Sequence, residues 1–290
     1  MSDNIIKIFR NAYKNGFLLE AQQTMSDLQP YVQNESIEGE KWFVDRMLKN
    51  TTSSGIYTPT RHSATEFVEY DFQRRTIVPV EHVYSVIVDG IDILKTIQDP
   101  KSELVQEGIR RFNRKKDSVL IAAALGTALT GVAGGSSTSL PNAQKTTTAS
   151  GVGLTKAVIN EMDEIFNSAD VPVEDAKYLV IGPKQLTDLR GISEFTSTDY
   201  ALGTPMGTGT LPNVLGYNII VSNLLDTSGS YRQCFAFSRG GLALGVGKEI
   251  TTRLDELQAY NYNYGVFARM AIGATRLHEE RVVEVGCWET

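Results

Sequence analysis

The stretch "DPKSELVQEGIRRFNRKKDSVLIAAALGTA", Asp99 to Ala128, limits the fold more tightly than any other part of the chain. Asp99 is a candidate N-cap, and Pro100 suits the first helical position because its missing N–H would have no partner there. Val105, Ile109, Phe112, Val119 and Ala123 then recur along one side, and the run ends at glycine. The spacing predicts a single helix of about twenty-five residues, the longest element in the chain.

Half of that helix is basic, with Arg110, Arg111, Arg114, Lys115 and Lys116 in close succession. Glu103 and Glu107 precede Arg110 and Arg111 by helical steps, and Asp117 follows the basic run, so intrahelical pairs can offset the charge. Two readings stay open: a solvated, self-paired face, which the pairing favours, or a face that meets phosphate. With 28 basic and 34 acidic residues the net charge is -6, which excludes a protein that coats DNA through a strongly positive surface. Any nucleic-acid contact must be local.

Upstream, "GFLLEAQQTMSDLQPYV" places Phe17, Leu18, Ala21, Met25 and Leu28 at helical steps, a stripe that needs a partner surface. "TTSSGIYTP" reads as loop, and "ATEFVEYDFQRRTIVPVEHVYSVIVDG" alternates as strands with polar residues on both faces. This predicts a long two-stranded arm over residues 66–84, reaching for another molecule. Residues 126–153, dominated by Gly, Ser, Thr and Ala, predict a flexible loop. An α/β pattern follows: helix in "LTKAVINEMDEIFNSA", strand in "KYLVIGP", helix in "KQLTDLRGISEF", and strands in "NVLGYNIIVSNLL" and "RQCFAFS". Val266, Ala268, Met270, Ile272 and Ala274 then alternate into a charged turn near Glu279 and a return strand from Arg281, a closing hairpin.

Catalysis needs convergent ionisable groups, and they are scarce here. His62, His82 and His278 are isolated and read as surface histidines rather than metal ligands or bases. Cys234 and Cys287 are too far apart in sequence for a zinc ribbon or redox pair and read as two buried thiols. "GVGLTKAV" and "GLALGVGKEIT" lack the spacing and the Gly-Lys-Ser/Thr ending of a phosphate loop, and no GxSxG elbow is present. The aromatic run "YNYNYGVF" reads as one face of a sheet rather than a base-stacking platform. The start of the sequence has no long apolar core after a basic stretch and no window spans a bilayer, so a non-secreted chain without a membrane partner is expected. No enzyme and no cofactor are expected.

The order of these parts resembles the major capsid proteins of tailed bacteriophages with the Hong Kong 97-type fold. "ATEFVEYDFQRRTIVPVEHVY" resembles the extended E-loop, "PKSELVQEGIRRFNRKKDSVLIAAALG" the spine helix, and "VFARMAIGATRLHEERVVEV" the closing strands of the peripheral domain. "AQQ" near Ala21, the run Arg114 to Asp117 and the run Gly273 to Arg276 are similar to stretches in a subgroup of phage coat proteins. The resemblance implies an α+β fold in five segments: an N-terminal arm over 1–50, an E-loop over 51–90, a peripheral domain with the spine helix over 91–130, an axial α/β domain over 131–254, and peripheral closing strands over 255–290. It implies a structural protein that assembles as pentamers and hexamers into an icosahedral shell around a double-stranded DNA genome, made in the host cytoplasm and carried in the virion.

In that setting Phe72, Arg74 and Arg75 are expected to contact neighbouring subunits through the E-loop, and Arg110, Arg111 and Arg114 to face the packaged DNA. Expected partners are identical subunits, a portal at one vertex, a separate scaffolding protein, because the region ahead of the spine helix leaves no room for a fused one, and a cement protein. Residues 51–94 contain no lysine, so the isopeptide cross-link that some family members make from an E-loop lysine is not expected, and the shell is expected to be held by noncovalent contacts or by a separate cement protein. Two rival readings are an encapsulin-type nanocompartment, which resembles the same fold, and a nucleotide-dependent enzyme using residues 126–153 or 245–248.

Overall fold

The computed structural model describes residues 23–48, 58, 60–65, 67, 69–89, 101–192 and 213–289. In chain order, β1 (Gln33–Ser36) and β2 (Trp42–Met47) precede β3 (Phe72–Ile77) and β4 (Val80–Val88). Helix α1 (Lys101–Leu125) follows, then three short strands, β5 (Ala128–Thr130), β6 (Ser136–Thr138) and β7 (Lys145–Thr147). Next come α2 (Lys156–Ser168), β8 (Lys177–Ile181), α3 (Pro183–Gly191), β9 (Asn213–Val214), β10 (Tyr217–Val221), β11 (Thr227–Ser228) and β12 (Tyr231–Ser238). The long strands β13 (Leu242–Leu257) and β14 (Asn263–Arg276) lead to β15 (Val282–Trp288).

These elements divide between two compact units. The larger contains Ser26–Val80, Lys115–Lys248 and Ala271–Thr290; the smaller contains residues 23–25, Glu81–Arg114 and Glu249–Met270. α1, β13 and β14 each contribute to both units.

A seven-stranded sheet in the order β7-β15-β12-β8-β10-β9, with β11 on β12, forms the centre of the larger unit. Every residue of β8 is buried, as expected for a central strand covered on both faces, and β10 pairs with it in parallel. Helix α2 buries Val158, Ile159, Met162 and Phe166, one stripe of an amphipathic helix. Here the α/β pattern read from the sequence is realised. The thiols of Cys234 and Cys287 are free and buried, yet the pairing of β12 with β15 brings the two residues together. A hydrogen bond to Cys234 and burial both push the Cys287 thiol pKa up. Distance in sequence was therefore a poor guide to their distance in space.

A second sheet of the larger unit has the order β2-β3-β5-β6. This corrects the expected arm over 66–84: β3 pairs with β2, from Trp42↔Ile77 to Met47↔Phe72, while β4 belongs to another sheet with β14. Pro79 separates β3 from β4, and the hairpin partner comes from residues expected to be an N-terminal arm. β1 likewise pairs in parallel with β13. Residues 126–153, expected to be a flexible loop, carry β5, β6 and β7, whose three-residue lengths are too short to show a period. The expected closing hairpin is also corrected, since β15 pairs with β12 and β7 rather than with β14. The alternation itself is correct: Val266, Ala268, Met270 and Ile272 are each 1% exposed.

Helix α1 matches the predicted length, and its predicted N-cap lies outside the described residues. Its buried stripe is offset from the expected one and passes through Phe112, Lys116, Asp117, Leu120, Ile121 and Ala124. Two of these are charged because they bind the chain ahead of β1. Asp117 accepts hydrogen bonds from Ser26 Oγ and the backbone N–H groups of Asp27 and Leu28, and Lys116 Nζ donates to Gln29 Oε1 at 3.1 Å. Of the expected N-terminal stripe, Phe17, Leu18 and Ala21 lie outside the described residues, Leu28 is buried and Met25 is exposed.

In the smaller unit, Asn261 and Tyr262 take left-handed backbone conformations at the turn between β13 and β14. The first part of "YNYNYGVF" is therefore a turn with Tyr260 and Tyr262 exposed, and only its second part is sheet. Gly108 lies in the middle of α1, where glycine is unfavourable. Its place is explained by Tyr84 of β4, whose Cδ1 would lie 2.8 Å from a Cβ at this position.

Candidate assembly surface and basic helix face

The outer face of the β2–β3 hairpin is built by alternation. β2 reads half-buried, exposed, half-buried, so Phe43, Asp45 and Met47 point one way and Trp42, Val44 and Arg46 the other. Across the pair, Phe43 faces Thr76, Asp45 faces Arg74, and Met47 faces Phe72. Phe72 is 72% exposed, Met47 59%, and Val132 beside them 84%. Arg74 grips Asp45 with two hydrogen bonds, Nε to Oδ1 at 2.6 Å and Nη2 to Oδ2 at 2.9 Å, and stacks over the Phe43 ring at 5.4 Å. The Arg74 hydrogen bond holds the Asp45 carboxyl below the usual carboxylate range. The result is an apolar face with its one central charge pair neutralised internally, a surface suited to burial against protein.

Arg75 does not belong to this face. It points to the opposite side of β3, is fully buried and binds Glu279, so the expected subunit contact through Arg75 is replaced by a core ion pair. Burial lowers the pKa of its guanidinium, and Glu279 opposes that shift. Arg46, Arg276 and Glu279 complete the cluster and were missed in the sequence. The one available signal was a charged turn, Arg276 to Arg281, between two buried strands. His278, read as a surface histidine, is half-buried, with Nδ1 at 3.4 Å from Arg46 Nη1.

On α1, Arg111 is exposed, pairs with Glu107 at 2.8 Å and lies over the Tyr84 ring at 5.6 Å. Arg110 and Arg114 are half-buried. The self-paired reading thus holds for Arg111, while Lys116 and Asp117, expected on the same solvated face, are buried. Gly245, part of the rival phosphate-loop reading, lies inside β13, where the absence of a side chain admits Ile37. Among the described residues, no group of three His, Cys, Asp or Glu side chains could hold a metal ion, and no helix is long and apolar enough to cross a membrane.

A family model described as phage capsid protein matches residues 5–289. The chain belongs to the phage capsid protein family. Solved structures agree on the fold. The capsid of cyanophage P-SCSP1u superposes with a TM-score of 0.70 at 15% identity, covering 100% of this chain and 97% of that one. A structure from Mycobacterium phage Che8 gives 0.72 at 15% identity over 96% and 97%. The capsid of Ralstonia phage GP4 gives 0.72 at 12% identity over 97% and 95%. No curated protein matches the sequence. The capsid protein has the Hong Kong 97-type fold expected from the order of its parts, and its role is structural, as the major subunit of a capsid shell. Neither the nanocompartment nor the nucleotide-enzyme reading is favoured.

Proposed function

We propose that copies of this capsid protein assemble as pentamers and hexamers into an icosahedral shell around double-stranded DNA. The family match over nearly the whole chain carries this reading. The outer face of the β2–β3 hairpin, with Phe72 and Arg74, is the contact to neighbouring copies, because exposed apolar area of this kind is stabilised by burial against protein. Repetition of such contacts makes a closed shell stable even where each one is weak.

Arg110, Arg111 and Arg114 supply a local basic face for non-specific phosphate contact inside a protein that is acidic overall. A separate scaffolding protein, a portal and a cement protein are the partners this role calls for, with assembly in the host cytoplasm. Electron microscopy of the expressed protein, alone or supplemented with the other structural proteins of its virion, tests the proposal. Closed hollow particles support it; a chain that stays monomeric in both settings contradicts it.

A further inference from the structure

One carboxylate in the larger unit serves three guanidinium groups. Glu279, in the turn between β14 and β15, binds Arg75 through Oε1 and Arg46 through Oε2 at 2.7 Å, and lies 3.9 Å from Arg276 Nε. The side chains of Arg75 and Arg276 are wholly buried, and those of Arg46 and Glu279 are 10% and 6% exposed. Glu280 lies 3.6 Å from Arg46 with half its side chain in solvent. Positive charge therefore exceeds negative charge where water is excluded, a setting in which a cation without its anion is strongly unfavourable. Nε and Nη1 of Arg75 and Nε of Arg276 are buried without a hydrogen-bond partner, so Arg75 depends mainly on Glu279 for compensation of its charge, whereas Arg276 also donates to backbone carbonyls.

The inner face of the β2–β3 hairpin has two halves. In one, Trp42 and Val44 pack on a core of Ile37, Ile77, Ala243 and Leu277. In the other, Arg46 donates to Gln73 Oε1 from Nε and Nη2 at 3.0 and 2.6 Å and to the Leu277 carbonyl at 3.2 Å, and Arg75 meets Glu279. Apolar burial secures the first half without regard to direction. The second half is tied to the β14–β15 turn by directional, charge-assisted bonds from Arg46 and Arg75, while the bonds from Arg46 to Gln73 join the two hairpin strands to each other.

We propose that Glu279 is the hub of an electrostatic joint that fixes the outer half of the β2–β3 hairpin to the β14–β15 turn. Removing its one negative charge frees that half and leaves the subunit folded. Arg276 stays in place, because its Nη1 donates to the carbonyls of Ala124 and Gly126, both at 2.8 Å, and its Nη2 to Thr138 O at 3.2 Å. Repulsion then falls on Arg46 and Arg75, which sit on the two hairpin strands. The joint thereby sets the position of Met47 and Phe72, the strand ends of the proposed contact face.

Hydrogen exchange on the full-length, unassembled chain tests this without depending on shell formation. In Glu279→Gln, amides at 45–48 and 72–75 should exchange faster by roughly a hundredfold or more, the scale of leaving buried charges uncompensated. Protection in β8, β12 and β15 should persist. The double variant Arg75→Met, Glu279→Gln should recover most of the lost protection, and Glu280→Gln should change little. Unchanged exchange in Glu279→Gln, an equal rise across β8, β12 and β15, a double variant as loose as the single, or equal loosening in Glu280→Gln would each overturn the joint.

Discussion

Ser26 Oγ donates a hydrogen bond of 2.5 Å to Asp117 Oδ1, tying the chain ahead of β1 to α1 across 91 positions. The N–H groups of Asp27 and Leu28 reach the same carboxylate at 3.0 and 3.1 Å. Asp117→Ala leaves these donors unmet and should destabilise the subunit by about 3 kcal/mol in chemical denaturation, the scale of lost hydrogen bonds to a buried charge. Asp117→Asn, which keeps one acceptor oxygen, should cost less.

Gly108→Ala should invert the usual helix rule. Alanine in a helix interior normally gains up to about 1 kcal/mol over glycine. Here its Cβ would meet Tyr84 at 2.8 Å, so a net loss of about 1–3 kcal/mol is expected in thermal unfolding. Shortening Tyr84 to Val in the same chain should recover part of that loss.

His278 gives the larger unit a sensitivity to acid. Burial lowers its pKa, and the charges of Arg46 and Arg281 lower it further, against opposing contributions from Glu280 and Glu279. As pH falls through about 6.5 the unfolded chain takes up a proton that the folded chain resists, so stability present above that pH is lost below it. Urea unfolding between pH 8 and pH 5 should show this loss, and His278→Gln should flatten part of it.

Phe72→Asp separates folding from assembly. Phe72 is 72% exposed in the subunit, so its replacement should change subunit stability by no more than about 0.5 kcal/mol. Particle formation, followed by sedimentation, should fall sharply if the proposed contact face is buried between copies, because a charge is then placed where water is excluded.

The triple change Arg110→Gln, Arg111→Gln, Arg114→Gln should leave shells able to form and lower the DNA they retain as salt is raised, since phosphate contacts weaken with ionic strength. The ratio of absorbance at 260 and 280 nm of purified particles reads the effect.

Local patterns were legible in the sequence wherever one face of an element is buried in apolar contact. The period of β14 from Val266 to Ile272, the length of α1, and the helix–strand order from α2 to β12 all appear because burial repeats at the element's own spacing. Pairing was not legible. Phe72–Ile77 reads as a strand in isolation, but nothing in its alternation says that Trp42–Met47 rather than Val80–Val88 lies beside it. The candidate site divided in the same way. Phe72 and Arg74 are surface residues on one face of β3, whereas Arg75, next to them, is buried only because Glu279, 204 positions later, supplies its counter-charge. Residue type alone places Phe72 inside and both arginines outside, so it is right only for Arg74.

A cryo-electron microscopy reconstruction of the assembled particle tests the central claim most directly. The expected result is a closed shell of identical copies in which Met47 and Phe72 are buried against another copy, with Arg75 still bound to Glu279 inside its own subunit. A closed shell that leaves that face in solvent, or particles in which this chain is absent from the wall, would contradict it.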